Sequence, residues 1–150
     1  MKKVSFETMD KPIEVTDPNI VYDTVIRNFD KFSARGDCAV LKLWEDDINT
    51  RVLIIGAVKN YGISLTHEIN YKKMSLIGEI NAEQTHLAVY DKTKLEEVVD
   101  VHDEIYASVG LFFPPEIAWK GIEEFIASGG MSLDIEWILA ESIPEKGNWC

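Results

Sequence analysis

From Asp37 to Asp91 the hydrophobic pattern has a period of two, and the segments that carry it are separated by short polar turns. That period puts successive side chains on opposite faces of extended backbone. Strands joined by turns this short pair with their chain neighbours, so the stretch predicts an antiparallel meander. Cys38–Trp44 alternates and ends at the acidic turn Glu45-Asp46-Asp47. Arg51–Val58 is nearly all apolar, the composition of a central strand buried on both faces. Lys59-Asn60-Tyr61-Gly62 is a turn signal, after which Ile63, Leu65 and His67 alternate again. Met74–Ile80 and His86–Tyr90 read as two more short strands. Val98–Phe113 reads as one or two further ones, with Val109, Leu111 and Phe113 alternating.

Helical spacing flanks this region. Ahead of it, Lys2–Thr8 is a strand candidate with Val4 and Phe6 on one face. Asp17 is an N-cap and Pro18 the first helical residue for a stripe of Val21, Val25, Phe29 and Phe32. Arg35 suits that helix's last turn, and Gly36 its stop. Behind it, Pro114-Pro115 opens a second helix whose apolar stripe is Ala118, Ile122 and Ile126, with Ile117 and Phe125 beside them. Gly129-Gly130 supplies its left-handed end, and Ile135, Trp137 and Leu139 then alternate as a strand that directs Trp137 into a core. The expected architecture is α+β, a single domain over residues 1–150. Its mostly antiparallel sheet has about five to seven strands, with two main helices packed on it.

A chain of 150 residues can bury roughly two-thirds of its unfolded surface. No apolar run approaches the ~20 residues that span a bilayer, and Met-Lys-Lys-Val-Ser-Phe-Glu-Thr has no signal-peptide h-region, so the expected compartment is the cytoplasm. Cys38 and Cys150 are too few for a disulfide framework or a metal site. The net charge of −11 disfavours nucleic acid and anionic membranes as partners. Its placement says more. Residues 1–94 carry 13 Lys/Arg against 14 Asp/Glu, whereas residues 95–150 carry 2 Lys against 12 Asp/Glu, a net of −10. Such a segment is either a solvated acidic surface or a docking face for a basic protein.

Enzymatic signatures are not found. His67, His86 and His102 lack a second His or Cys at ligand spacing, and Cys38 sits in a core-like run. There is no nucleophile elbow and no phosphate loop. The adjacent carboxylates Asp46-Asp47, Glu96-Glu97, Asp103-Glu104 and Glu123-Glu124 do not by themselves make a catalytic pair. The expectation is a non-enzyme with no cofactor and no metal. The acidic third is rich in aromatic residues, including Tyr106, Phe112, Phe113, Trp119, Trp137 and Trp149. Trp119 lies off the centre of its helix's apolar stripe, which leaves it as a boundary residue over a sheet edge or an exposed anchor. On charge, the candidate partner-binding residues are Glu96, Glu97, Asp100, Asp103 and Glu104, with Trp119.

The segment Phe113-Pro114-Pro115 through Phe125-Ile126-Ala127-Ser128-Gly129-Gly130 to Ile135-Glu136-Trp137 resembles the C-terminal signature of bacterial polymorphic-toxin immunity proteins, the family of immunity protein type one. Pro114, Phe125, Gly129 and Trp137 carry the likeness over about 25 of 150 residues. After the first glycine this chain has Gly130-Met131-Ser132, where the family often has a basic residue or proline. The resemblance implies a small cytoplasmic α+β protein of a contact-dependent growth inhibition or related system. It would neutralise a cognate basic toxin C-terminal domain, of nuclease or deaminase type, by tight binding. Phe125 and Trp137 would then be structural, and no toxin-contacting position carries over. An adaptor or chaperone-like module for a secreted effector is the alternative reading.

Overall fold

The computed structural model describes residues 1–34 and 38–149. Among the described residues nine strands run in chain order: β1 Lys2–Glu7, β2 Ile13–Glu14, β3 Cys38–Glu45, β4 Ile48–Val58, β5 Gly62–Ser75, β6 Gly78–Val89, β7 Val98–His102, β8 Ile105–Ser108 and β9 Glu136–Leu139. Seven of them form one antiparallel sheet in the order β2-β1-β3-β4-β5-β6-β9, and β7-β8 make a separate hairpin. The meander read from the alternating segments is therefore the centre of the fold.

Three α-helices accompany the sheet among the described residues: α1 Pro18–Tyr22, α2 Phe29–Ala34 and α3 Pro115–Ser128. Asp17 caps α1, its Oδ1 accepting from Asn19 N at 2.9 Å, with Pro18 in the first turn. The single helix expected from Val21 to Phe32 is instead interrupted by a π-helical turn, Asp23–Arg27. The reason is Asn28, at φ −103 and ψ 35, whose backbone N–H and side-chain amide both reach back to Asp23 O, at 3.1 and 2.7 Å. Val21, Val25 and Phe32 are nevertheless buried, together with Ile26. The expected ending at Arg35 and Gly36 lies outside the described residues.

Helices cover one face of the sheet. Leu41, Leu53, Ile55, Ile63 and Leu65 point to that side and meet Val25, Ala118, Ile122 and Phe125. A second, smaller core lies on the other face, where Leu87 and Val89 of β6 meet Leu95, Ala107, Leu111 and Phe112. This second core explains a correction in β4. Leu53, Ile55 and Ala57 are buried, but on the other face only Val52 is, and Ile54, Gly56 and Val58 are half-buried, so the strand is not enclosed along both faces.

Two other expectations are corrected. Met74–Ile80 is not a strand; it contains the turn between β5 and β6. Ser75 pairs with Gly78, leaving Leu76 and Ile77 at the tip. Ser75 Oγ accepts from Ile77 N at 3.3 Å and donates to Gly78 O at 2.8 Å, so a serine–glycine turn is hidden in apolar sequence. Nor do Val109, Leu111 and Phe113 alternate along a strand. Val109–Leu111 is a 3-10 turn, held by Tyr90 and Asp91 N–H donating to Gly110 O at 2.8 and 3.1 Å, and only Phe113 pairs, with Ile63.

The acidic turn Glu45-Asp46-Asp47 is as expected, with both aspartates at positive φ (48° and 68°). That conformation suits a tight hairpin and disfavours side chains with a Cβ. Asp47→Gly is therefore expected to stabilise the protein by about 0.5–1 kcal/mol, read as a higher urea midpoint at unchanged slope.

Phe125, Gly129 and Trp137 of the proline-to-tryptophan segment converge on one buried side chain. Pro115 opens α3 directly after Pro114, and Gly129 closes it at φ 75. His67 is fully buried and its ring lies edge-on to Phe125 and Trp137, at 5.7 and 6.1 Å. Its Nε2–H donates to Gly129 O at 2.9 Å, satisfying a carbonyl that α3 leaves open. Trp137 Nε1 donates to Ser132 O at 3.1 Å. His67 thus clamps the C-terminal end of α3 onto β5.

Burial holds the His67 pKa below 6.5; the Gly129 hydrogen bond opposes this, while Arg51 and His86 add to it. The unfolded chain takes up this proton near 6.5, the native protein only at lower pH. Stability from His67 is thus full above the unfolded value and is lost as pH falls toward the folded one. The urea midpoint is expected to fall between about pH 7 and about pH 5, and to fall less in His67→Gln, which keeps a donor for Gly129.

Candidate binding face

The β7-β8 hairpin carries the largest group of predicted residues. Asp103 and Glu104 form its two-residue turn, both at positive φ (43° and 67°). Asp100 Oδ2 accepts from Glu104 N at 3.2 Å, bracing the turn from the preceding strand. A register shift between Asp100 and His102 leaves Val101 as a bulge, packed on the second core. Asp100, Asp103 and Glu104 are exposed, as are Glu96 and Glu97 just before β7. Among nearby basic side chains, His102 Nε2 lies 3.3 Å from Asp103, Lys59 lines the adjoining sheet face, and Lys92 pairs with Glu136 at 2.6 Å.

The C-terminal tail holds this hairpin in place. Ser108 N donates to Asn148 O at 2.8 Å, Asn148 N to Ser108 Oγ at 2.9 Å, and Asn148 Nδ2 to Tyr106 O at 2.7 Å. Ser108 Oγ in turn donates to Leu95 O. Asn148 therefore ties the tail to β8 and places Trp149 beside the hairpin. Ile105, Tyr106 and Trp149 are left 46%, 48% and 37% exposed next to the carboxylates.

Between this hairpin and the open sheet face runs a groove of about 560 Å³. Its floor is Ile54, Gly56 and Val58 of β4 with Ser64 and Thr66 of β5, and Val101, Ile105 and Trp149 form its far wall. Gly56 keeps the floor low, since a Cβ there would sit 2.6 Å from Ser64 Oγ. The lining is mainly apolar, with Lys59, Asp100 and His102 at its margin and the exposed Asp103-Glu104 turn beyond it. This is the composition of a protein-docking site, with apolar anchors at the centre and charge around them.

Trp119 does not join this face. It packs against the helix-side core, edge-on to Tyr22 at 5.0 Å, with Tyr22 OH donating to Glu116 Oε1 at 2.6 Å. The sheet separates it from the β7-β8 hairpin, and Glu116, Glu123 and Glu124 lie with it on α3. The acidic third is thus divided between two faces. Of the six candidate residues, five share the hairpin region and one does not. The groove was not foreseen in the sequence, because the seating of Trp149 depends on the contact of its neighbour Asn148 with Ser108, which spans 40 positions. No group of three His, Cys, Asp or Glu side chains able to hold a metal occurs among the described residues, and none of the described helices is long and apolar enough to cross a membrane. No protein-family model, curated protein or solved structure matches the chain.

Proposed function

We propose that this protein is an immunity protein, which binds a cognate basic toxin domain of nuclease or deaminase type and neutralises it in the producing cell. The observation that carries this reading is the β7-β8 hairpin, which gathers Asp100, Asp103 and Glu104 at one exposed turn, with Glu96 and Glu97 beside it and Ile105, Tyr106 and Trp149 as apolar anchors. A toxin cleft built to hold a phosphate backbone is cationic, so a protruding anionic turn is attracted to it and excludes its substrate. The anchors supply the desolvated contacts that slow dissociation, and the carboxylates supply orientation and speed. Inhibition then follows from occlusion of the active site or of the substrate-binding face.

Co-expression tests this. The wild-type chain is expected to rescue growth of cells expressing the C-terminal toxin domain encoded beside it, and to co-purify with that domain. Ile105→Asp with Tyr106→Asp, both at exposed positions, is expected to lose rescue while folding normally. Binding without loss of the toxin's activity would favour an adaptor and overturn the proposal.

A further inference from the structure

The β7-β8 hairpin pairs with no strand of the main sheet. Among the described residues, the side chains it places in the second core are Val101 and Ala107, both small, so apolar burial alone holds it lightly. Its hydrogen bonds show what else holds it. Among the described residues, every one that residues 98–108 make outside the hairpin and its lead-in, residues 95–97, goes to Asn148.

The tail is shaped for that contact. Ala140 and Ile143 pack on the second core, and Gly147 N then donates to Pro144 O at 2.7 Å, a tight turn that brings Asn148 back against β8. Gly147 is needed for the close approach. A Cβ there would lie 2.6 Å from Leu95 O and 3.1 Å from Ser108 Oγ. Leu95 O is backbone, and it already accepts from Ser108 Oγ, whose residue is fully buried. Tail, lead-in and β8 thus meet at the base of the hairpin, where Val98 pairs with Ser108. The Asp103-Glu104 turn stands five residues further out, roughly 16 Å away, so whatever fixes the base decides where the carboxylates stand.

We infer that the tail Pro144–Trp149 is a strap that regulates the docking face, with Asn148 as its positioning residue. Fastened, it holds the hairpin over the groove and seats Trp149 in the wall. Released, the hairpin opens locally while the main sheet stays folded, and the carboxylates and Trp149 lose their common geometry. Loss or capture of the tail therefore switches docking off without unfolding the protein. The inference rests on the reading of this hairpin as the docking element, and adds that the element is set from 40 positions away.

Hydrogen exchange read by mass spectrometry tests the strap with no partner present. In Gly147→Ala/Asn148→Ala, residues 98–108 are expected to exchange about tenfold faster than in the wild type, with β3–β6 unchanged. Asn148→Ala alone removes the bond to Tyr106 O and leaves the backbone ones, so it is expected to give a smaller acceleration confined to the same residues. Unchanged exchange, or an acceleration shared by β3–β6, would overturn the inference. The toxin domain encoded beside the chain supplies a second reading: the double variant is expected to associate with it about tenfold more slowly. A double variant whose hairpin exchanges faster yet associates as quickly as the wild type would overturn the inference too. A wild type that binds no such domain would instead overturn the immunity reading, with exchange still deciding whether the tail holds the hairpin.

Discussion

Gly62→Ala is expected to cost about 4 kcal/mol or more, much of the ~5–15 kcal/mol that a domain of this size holds. Gly62 has φ +115, a conformation that L side chains rarely adopt, and a Cβ there would lie 2.1 Å from Phe113 O. That oxygen belongs to backbone and cannot swing aside. It accepts from Ile63 N at 2.9 Å, and Phe113 N donates back to Ile63 O at 2.8 Å. This pair of bonds ties the lead-in of α3 to the start of β5, with Ile63 and Phe113 both buried. Parting them leaves buried donors and acceptors unsatisfied, at about 1–3 kcal/mol each. Urea unfolding of the purified variant measures the loss. A change under about 1 kcal/mol would mean that the junction has slack which the tight backbone approach denies.

The second large effect is expected at Phe125, at about 3–5 kcal/mol for Phe125→Ala. The side chain is fully buried, stands edge-on to His67, and belongs to the residue whose carbonyl accepts from Gly129 N at 2.7 Å. Its removal opens a cavity beside the clamp at the end of α3. It also lets water reach His67, so the imidazole pKa should rise toward its ordinary value and the loss of stability on acidification should shrink. Phe125→Leu, which conserves more volume, is expected to cost less than about 1.5 kcal/mol. Both quantities come from urea titrations at two pH values. A Phe125→Ala variant with wild-type pH dependence would show that Phe125 does not shield His67.

The parts of the fold legible in the sequence were those fixed by local chemistry. Asp17-Pro18, Pro115 and Gly129 act within one helical turn, and the alternation through Val40–Leu43 and Ile63–His67 reports the face that is buried in β3 and β5. Illegible features depended on distant partners. The Leu76-Ile77 turn is made by Ser75 and Gly78 beneath apolar residues that mimic a strand. The half-open outer face of β4 depends on how far the β7-β8 hairpin reaches across it. Residues 96–104 formed one acidic group in the sequence and remain one in space, because they belong to a single hairpin and its approach. Trp119 could not be placed from helical spacing alone, since its partner Tyr22 is 97 positions away.

In the proposed function the β7-β8 hairpin acts as an anionic docking element, and association kinetics test that most directly. Binding of the cognate toxin domain is to be measured against salt for the wild type and for Asp100→Lys/Asp103→Lys/Glu104→Lys. The wild-type on-rate is expected to fall steeply as salt rises, and the variant to associate about 10–100-fold more slowly at low salt, with little salt dependence. Equal on-rates for the two proteins, or a wild-type on-rate indifferent to salt, would contradict it.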